Sequence, residues 1–97
     1  MIYLITYDKN TIIKNYLPLQ KAIKSCGKYW WHHMNNTWLV STQMNATQIF
    51  SILKPHISAP DRILIVQIHP QSDYSGWLNK DAWEWIKKHQ RSFPYTL

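Results

Sequence analysis

Residues 28–42 constrain the fold of this chain more than any other stretch: Lys28-Tyr29-Trp30-Trp31-His32-His33-Met34, then Asn35-Asn36, then Thr37-Trp38-Leu39-Val40-Ser41-Thr42. Two runs rich in β-branched and aromatic side chains flank an Asn-Asn pair that tolerates the positive φ angles of a tight two-residue hairpin. A regular register across that turn sets Met34 against Thr37, His33 against Trp38, His32 against Leu39 and Trp31 against Val40. Side chains alternate along a strand, so Tyr29, Trp31, His33, Trp38 and Val40 are expected on one face and Trp30, His32, Met34 and Leu39 on the other. Both faces of the hairpin then carry rings.

A chain of 97 residues with six Trp, six Tyr and two Phe has too small a core to hide all of them. Lys+Arg 11 against Asp+Glu 5 gives a net charge of +6, which with a 45% hydrophobic content describes one small basic domain, 1–97, and excludes a disordered basic tail. Cys26 is the single cysteine, so no intramolecular disulfide and no cysteine metal cluster can form, and a reducing compartment fits. The chain opens in strand-like sequence without a basic leader segment. Its longest apolar run, Ile63-Leu64-Ile65-Val66, is far too short for a bilayer. The expectation is a cytoplasmic protein without a membrane partner. Frequent Asn and Ile beside only two Gly suggest an AT-rich genome, a phage or a low-GC bacterium, and for a phage protein the host cytoplasm.

Around the hairpin, residues 2–7 read as a first strand ending at Asp8-Lys9-Asn10. Asn15 can cap a helix that tolerates Pro18 in its first turn, buries Leu19, Ile23 and Cys26, and stops at Gly27. Asn45 with Gln48 is a capping-box variant, followed by the apolar stripe Ala46, Ile49, Phe50 and Leu53 that Pro55 interrupts. Residues 62–69 form a continuous apolar run, the pattern of a strand buried on both faces, closed by Pro70. After a polar loop, Asn79 can cap a last helix that runs through about Lys88. This order predicts an α+β, ferredoxin-like βαββαβ domain: an antiparallel four-stranded sheet, two helices on one face, an extra C-terminal helix, and the second face open to solvent, ligand or another subunit.

Asp8, at the C-terminal end of the first strand, is the candidate metal ligand: two copies across a dimer would hold Mg²⁺ for phosphodiester cleavage, whereas alone it is a turn residue. Asp61, Asp73, Asp81 and Glu84 supply no second carboxylate near it. His32 and His33 are adjacent and point to opposite faces, so they cannot share one ion, and no zinc spacing exists. His33 opposite Trp38 suggests a stacked or hydrogen-bonded pair, or a ligand contact. Ser41, Ser51 and Ser75 lack a nucleophile elbow, and Cys26 is expected to be buried and inert. What remains is Lys28 interleaved with Tyr29, Trp30, Trp31, His32 and His33, the composition of a platform that stacks bases and neutralises phosphates. The same rings would equally serve a hairpin packed against helices and a second subunit. Trp83 and Trp85 point apart on the last helix, and Tyr74 and Trp77 flank Gly76 in a loop that can close over a ligand or anchor itself to the core.

Tyr3-Leu4-Ile5-Thr6-Tyr7-Asp8, Ala22-Ile23-Lys24-Ser25 before Gly27, Trp30-Trp31-His32, Thr37-Trp38-Leu39-Val40-Ser41-Thr42, and Gly76-Trp77-Leu78 with Ala82-Trp83-Glu84-Trp85-Ile86 resemble small bacterial and phage proteins labelled SinR-like, over nearly the whole chain. In element order and in Asp8 the chain is also similar, more remotely, to the small subunit of the CRISPR spacer-integration complex and to VapD-type ribonucleases. The resemblance implies a homodimer of ferredoxin-like protomers, with Asp8 matching the strand-end metal ligand of the nuclease members. The Trp-His hairpin is no part of their pattern.

The expectation is therefore a basic, Trp-rich homodimer or higher homo-oligomer that binds a nucleotide-type phosphate ligand without catalysis or cofactor. A phage anti-defence protein that sequesters a cyclic or modified nucleotide signal would have this composition. The candidate ligand residues are Tyr7, Asp8, Lys9, Asn10, Lys28, Trp30, Trp31, His32, His33, Trp38, Tyr74 and Trp77. The alternatives are a Mg²⁺-dependent nuclease using Asp8, and an RNA-binding or toxin–antitoxin regulator.

Overall fold

The computed structural model of the chain describes residues 1–9 and 16–90. The elements run β1 (Ile2–Asp8), α1 (Leu17–Ser25), β2 (Tyr29–Met34), β3 (Thr37–Ser41), α2 (Ala46–Leu53) extended by a 3₁₀ turn (Lys54–His56), β4 (Arg62–Ile68) and α3 (Lys80–Gln90). The strands make one antiparallel sheet in the order β2-β3-β1-β4, an α+β arrangement consistent with the ferredoxin-like expectation.

β1 lies in the interior of the sheet, paired to β3 on one side and β4 on the other, and its alternation divides the core in two. Tyr3, Ile5 and Tyr7 join Trp38 and Val40 of β3 beneath Leu19, Ala22 and Ile23 of α1 and Ile49 and Leu53 of α2. On the opposite face Ile2, Trp31 and Leu39 pack under Ala82 and Ile86 of α3. The expected pair of helices thus covers one face, and the face expected to be open is partly covered by α3. Burying both sides of β1 contributes apolar stabilisation on each face, at about 25 cal/mol per Å² of surface removed from water.

Local chemistry explains several boundaries. Asn45 and Gln48 make the reciprocal capping box of α2, with Gln48 N–H donating to Asn45 Oδ1 at 2.8 Å and Asn45 N–H to Gln48 Oε1 at 2.9 Å. Pro55 sits where α2 gives way to the 3₁₀ turn. α1 takes Tyr16 as its N-cap, with no side-chain cap bond, and the proposed cap Asn15 lies outside the described residues. Gly27 differs from the expected left-handed stop, since no described residue has a positive φ. It is there for space: an added Cβ would collide with the Ser41 carbonyl and come within 2.6 Å of Val40 Cγ1.

Two further expectations are corrected. β4 is an edge strand rather than a strand buried on both faces: Ile63 and Ile65 pack against the helical core, whereas Leu64 is 57% and Val66 43% exposed. The hairpin keeps the Met34–Thr37 pair, but β2 then shifts register, so that Trp31 pairs with Leu39 and Trp30 with Val40. One extra residue between Trp31 and Met34 makes this a β-bulge. Since the Asn35-Asn36 turn has no positive φ, it lacks the twist of the favoured primed hairpin turns, and the bulge beside it takes up the mismatch.

Candidate functional site

The bulge sorts the hairpin rings. Trp30 and His32 go with Trp38 to the face under α1, where the His32 and Trp38 rings stack at 3.8 Å and 12° and Trp30 lies 5.3 Å from Trp38 with Lys24 Nζ 4.7 Å from its centroid. The expected His33–Trp38 pair is therefore a His32–Trp38 pair. Tyr29, Trp31 and His33 go to the α3 face with Leu39: Trp31 lies 4.9 Å from His33, and Tyr29 lies 4.9 Å from His89 of α3. The β2 rings thus form two half-sets on opposite faces, as alternation predicts, with Trp38 beside Trp30 and His32 instead of Trp31 and His33.

On the α3 face the sheet, α3 and residues 74–79 border an open groove of about 470 Å³. Its floor is Leu4, Trp31, Leu39 and Ile68, one wall is His33, Met34 and Thr37 at the hairpin end, and the other is Trp83 and Ile86 with residues 74–79. Tyr74 stacks on Trp83 at 6.3 Å and 15°, and its hydroxyl donates to Gln90 Oε1 at 3.1 Å, which ties the loop to α3. Trp77 is 99% exposed at the rim. Trp31 is 4% exposed, and its indole N–H is buried without a hydrogen-bond partner among the described residues. An unpaired buried donor costs roughly 1–3 kcal/mol, the kind of expense a fold retains at a site.

The groove gathers four of the expected residues, Trp31, His33, Tyr74 and Trp77. Tyr7 and Trp38 instead belong to the opposite core, where Trp38 Nε1 donates to the Tyr7 hydroxyl at 3.3 Å. Lys9 makes an ion pair with Asp61 at 3.3 Å, with side chains 10% and 0% exposed. Lys28 lies over Tyr29 at 5.6 Å, just before β2 and about 10 Å by strand rise from Trp31, the groove residue of β2 nearest to it in sequence. Asn10 is outside the described residues. Asp8 is exposed and pairs in register with Arg62, beside a shallow depression that includes Thr6 and Leu64. No group of three or more His, Cys, Asp or Glu that could hold a metal ion occurs among the described residues, and no described helix is long and apolar enough to cross a membrane.

The sequence reasoning missed Met34, Leu4, Ile68 and Trp83 as groove residues. Met34 was expected on the face of Leu39, where it lies, but apart from Trp31 and His33, and the bulge brings all of them to one groove, while the Tyr74–Trp83 contact brings together residues that are nine apart and carry no local signal. Compared with family models, curated proteins and solved structures, the chain matches none.

Proposed function

We propose that this chain is a ferredoxin-like binding protein for a nucleotide-type ligand, whose base lies in the groove between Trp77 and the sheet. The observation that carries this reading is Trp77, an indole held entirely in water at the rim of an apolar, ring-lined groove. Exposing a Trp forgoes the burial of 150–250 Å² of ring surface, and stacking a planar base on it recovers on the order of 1–3 kcal/mol. Asn79 in the groove wall precedes α3, and the start of a helix carries a partial positive charge that favours a phosphate, set against the Asp81 carboxylate in the same turn. Sequestration of a nucleotide signal in the cytoplasm needs no more than such a site.

The test is titration of the protein with a panel of linear and cyclic nucleotides, followed by intrinsic Trp fluorescence and by melting temperature. Binding is expected in the wild type and lost in Trp77→Ala with the melting temperature of the free protein unchanged. If no nucleotide alters either signal, or if Trp77→Ala binds like the wild type, the reading is wrong.

A further inference from the structure

The groove has rings but lacks a strong cation: among its described lining residues there is no Lys or Arg, in a chain that carries 11 of them. The missing charge lies at the edge of the sheet. β4 ends the strand order, so the outer N–H and C=O groups of its backbone meet no strand among the described residues. Edge strands are ordinarily blunted by Pro, Lys or a bulge. β4 has none of these: it pairs regularly with β1 from Asp8–Arg62 to Ile2–Ile68 and carries one charge, Arg62, at its start.

We infer that a second copy of this chain pairs its β4 antiparallel with this edge, and that the partner's Arg62 completes the groove as its phosphate-binding cation, an inference that rests on the nucleotide reading above. The strand is self-complementary when reversed. Full overlap centres on Ile65 and sets Leu64 against the partner's Val66, covering the two exposed apolar side chains of each copy. A two-fold axis normal to the sheet keeps each face continuous, so Arg62, Leu64, Val66 and Ile68 remain on the groove face. Ile68 forms part of the groove floor, and its opposite number is the partner's Arg62, with Cβ atoms about 5 Å apart.

Charge does not bar this partner. Copies with a net charge of +6 repel over most of their surface, yet along this junction the two Arg62 side chains start at opposite ends, about 20 Å apart by strand rise, beyond the ~8 Å screening length of physiological salt. Lys9, near the same end, is already neutralised by Asp61. Each arginine then lies beside the other copy's groove, where a guanidinium can grip a phosphate in bidentate fashion.

The experiment uses the full chain as wild type, Leu64→Lys, Arg62→Ala and Trp77→Ala, with mass read by sedimentation velocity and binding of adenosine and adenosine 5′-monophosphate by calorimetry. The wild type is expected to be a dimer that prefers the monophosphate by roughly tenfold. Leu64→Lys, altered at an exposed position, should be a folded monomer without that preference. Arg62→Ala should remain dimeric, bind adenosine as before and lose the preference. Mixing Arg62→Ala with Trp77→Ala should restore phosphate-preferring sites to about a quarter of the total, because half the dimers are mixed and each holds one intact site. A monomeric wild type that still binds adenosine overturns the pairing and leaves the groove reading standing. A dimer whose Arg62→Ala variant keeps the preference, or whose mixture restores nothing, overturns the role of Arg62. A dimer that binds neither compound overturns the nucleotide reading, and the role of Arg62 with it, while its mass retains the β4 pairing.

Discussion

Trp38 and Trp77 show how little residue type says about role. Trp38 is 1% exposed, hydrogen-bonded to Tyr7 and stacked by His32, so Trp38→Ala is expected to cost about 3–5 kcal/mol in urea unfolding and to affect binding only through the fold. Cys26 is a second case in which surroundings decide. Its thiol is buried and donates to the Ala22 carbonyl at 3.3 Å, and burial pushes its pKa above the ordinary 9.0. The folded state therefore favours the neutral thiol. Its stability is complete below the unfolded value and falls as pH rises through that value towards the folded one. Urea midpoints at about pH 8 and about pH 10 should show a decrease in the wild type that is smaller in Cys26→Ala. Equal decreases would remove Cys26 from the alkaline response.

At the scale of elements, strands and helices were legible where a single period dominated. The capping box at Asn45 and Gln48, the stop near Pro55 and the Met34–Thr37 turn pair could all be read, because each is a local signal of three or four residues. The bulge in β2 could not: His32 and His33 have no Gly to announce it, and one extra residue changes which β3 side chains share a face with Trp31. For the groove, this meant that the alternation within β2 held from Tyr29 to His33 and broke at Met34, while the match of Trp30 and Trp31 to β3 shifted by one residue. β4 misled for the opposite reason. A run such as Ile63-Leu64-Ile65-Val66 has no alternation, so it says nothing of edge or centre, while the interior strand β1 includes Thr6 on the α3 face, bonded to Thr37 at 3.1 Å. Gly27 was read as a conformational residue and is a steric one. Gly27→Ala is thus expected to destabilise by pushing the end of α1 off β3, with urea unfolding as the measure. An alanine variant as stable as the wild type would show that the chain closes without that approach.

Across the whole molecule, the two faces of the sheet divide the labour: α1 and α2 close one over a core of their own, and α3 closes only part of the other, leaving the groove and the outer side of β4. Asp8 gains a particular meaning in this frame. As register partner of Arg62, it opposes any phosphate held by that arginine, so Asp8→Asn should tighten binding of a nucleoside monophosphate by a few-fold, measured by calorimetry. A Mg²⁺-dependent nuclease would give the reverse, a loss of cleavage in the same variant, and a hydrolysis assay on RNA and DNA with and without Mg²⁺ separates the two.

β4 also bears on the fate of the chain when its concentration or temperature rises. Ile63-Leu64-Ile65-Val66-Gln67-Ile68 has high β propensity, no charge and no proline, and it sits on an edge that no strand among the described residues covers, which is the composition of a segment that seeds cross-β fibrils. A closed two-fold junction uses that edge once per chain and terminates, whereas an edge left bare continues to recruit. On the β4 pairing inferred above, solubility and assembly depend on the same six residues, and raising the concentration of the chain fills the closed junction and so removes bare edges.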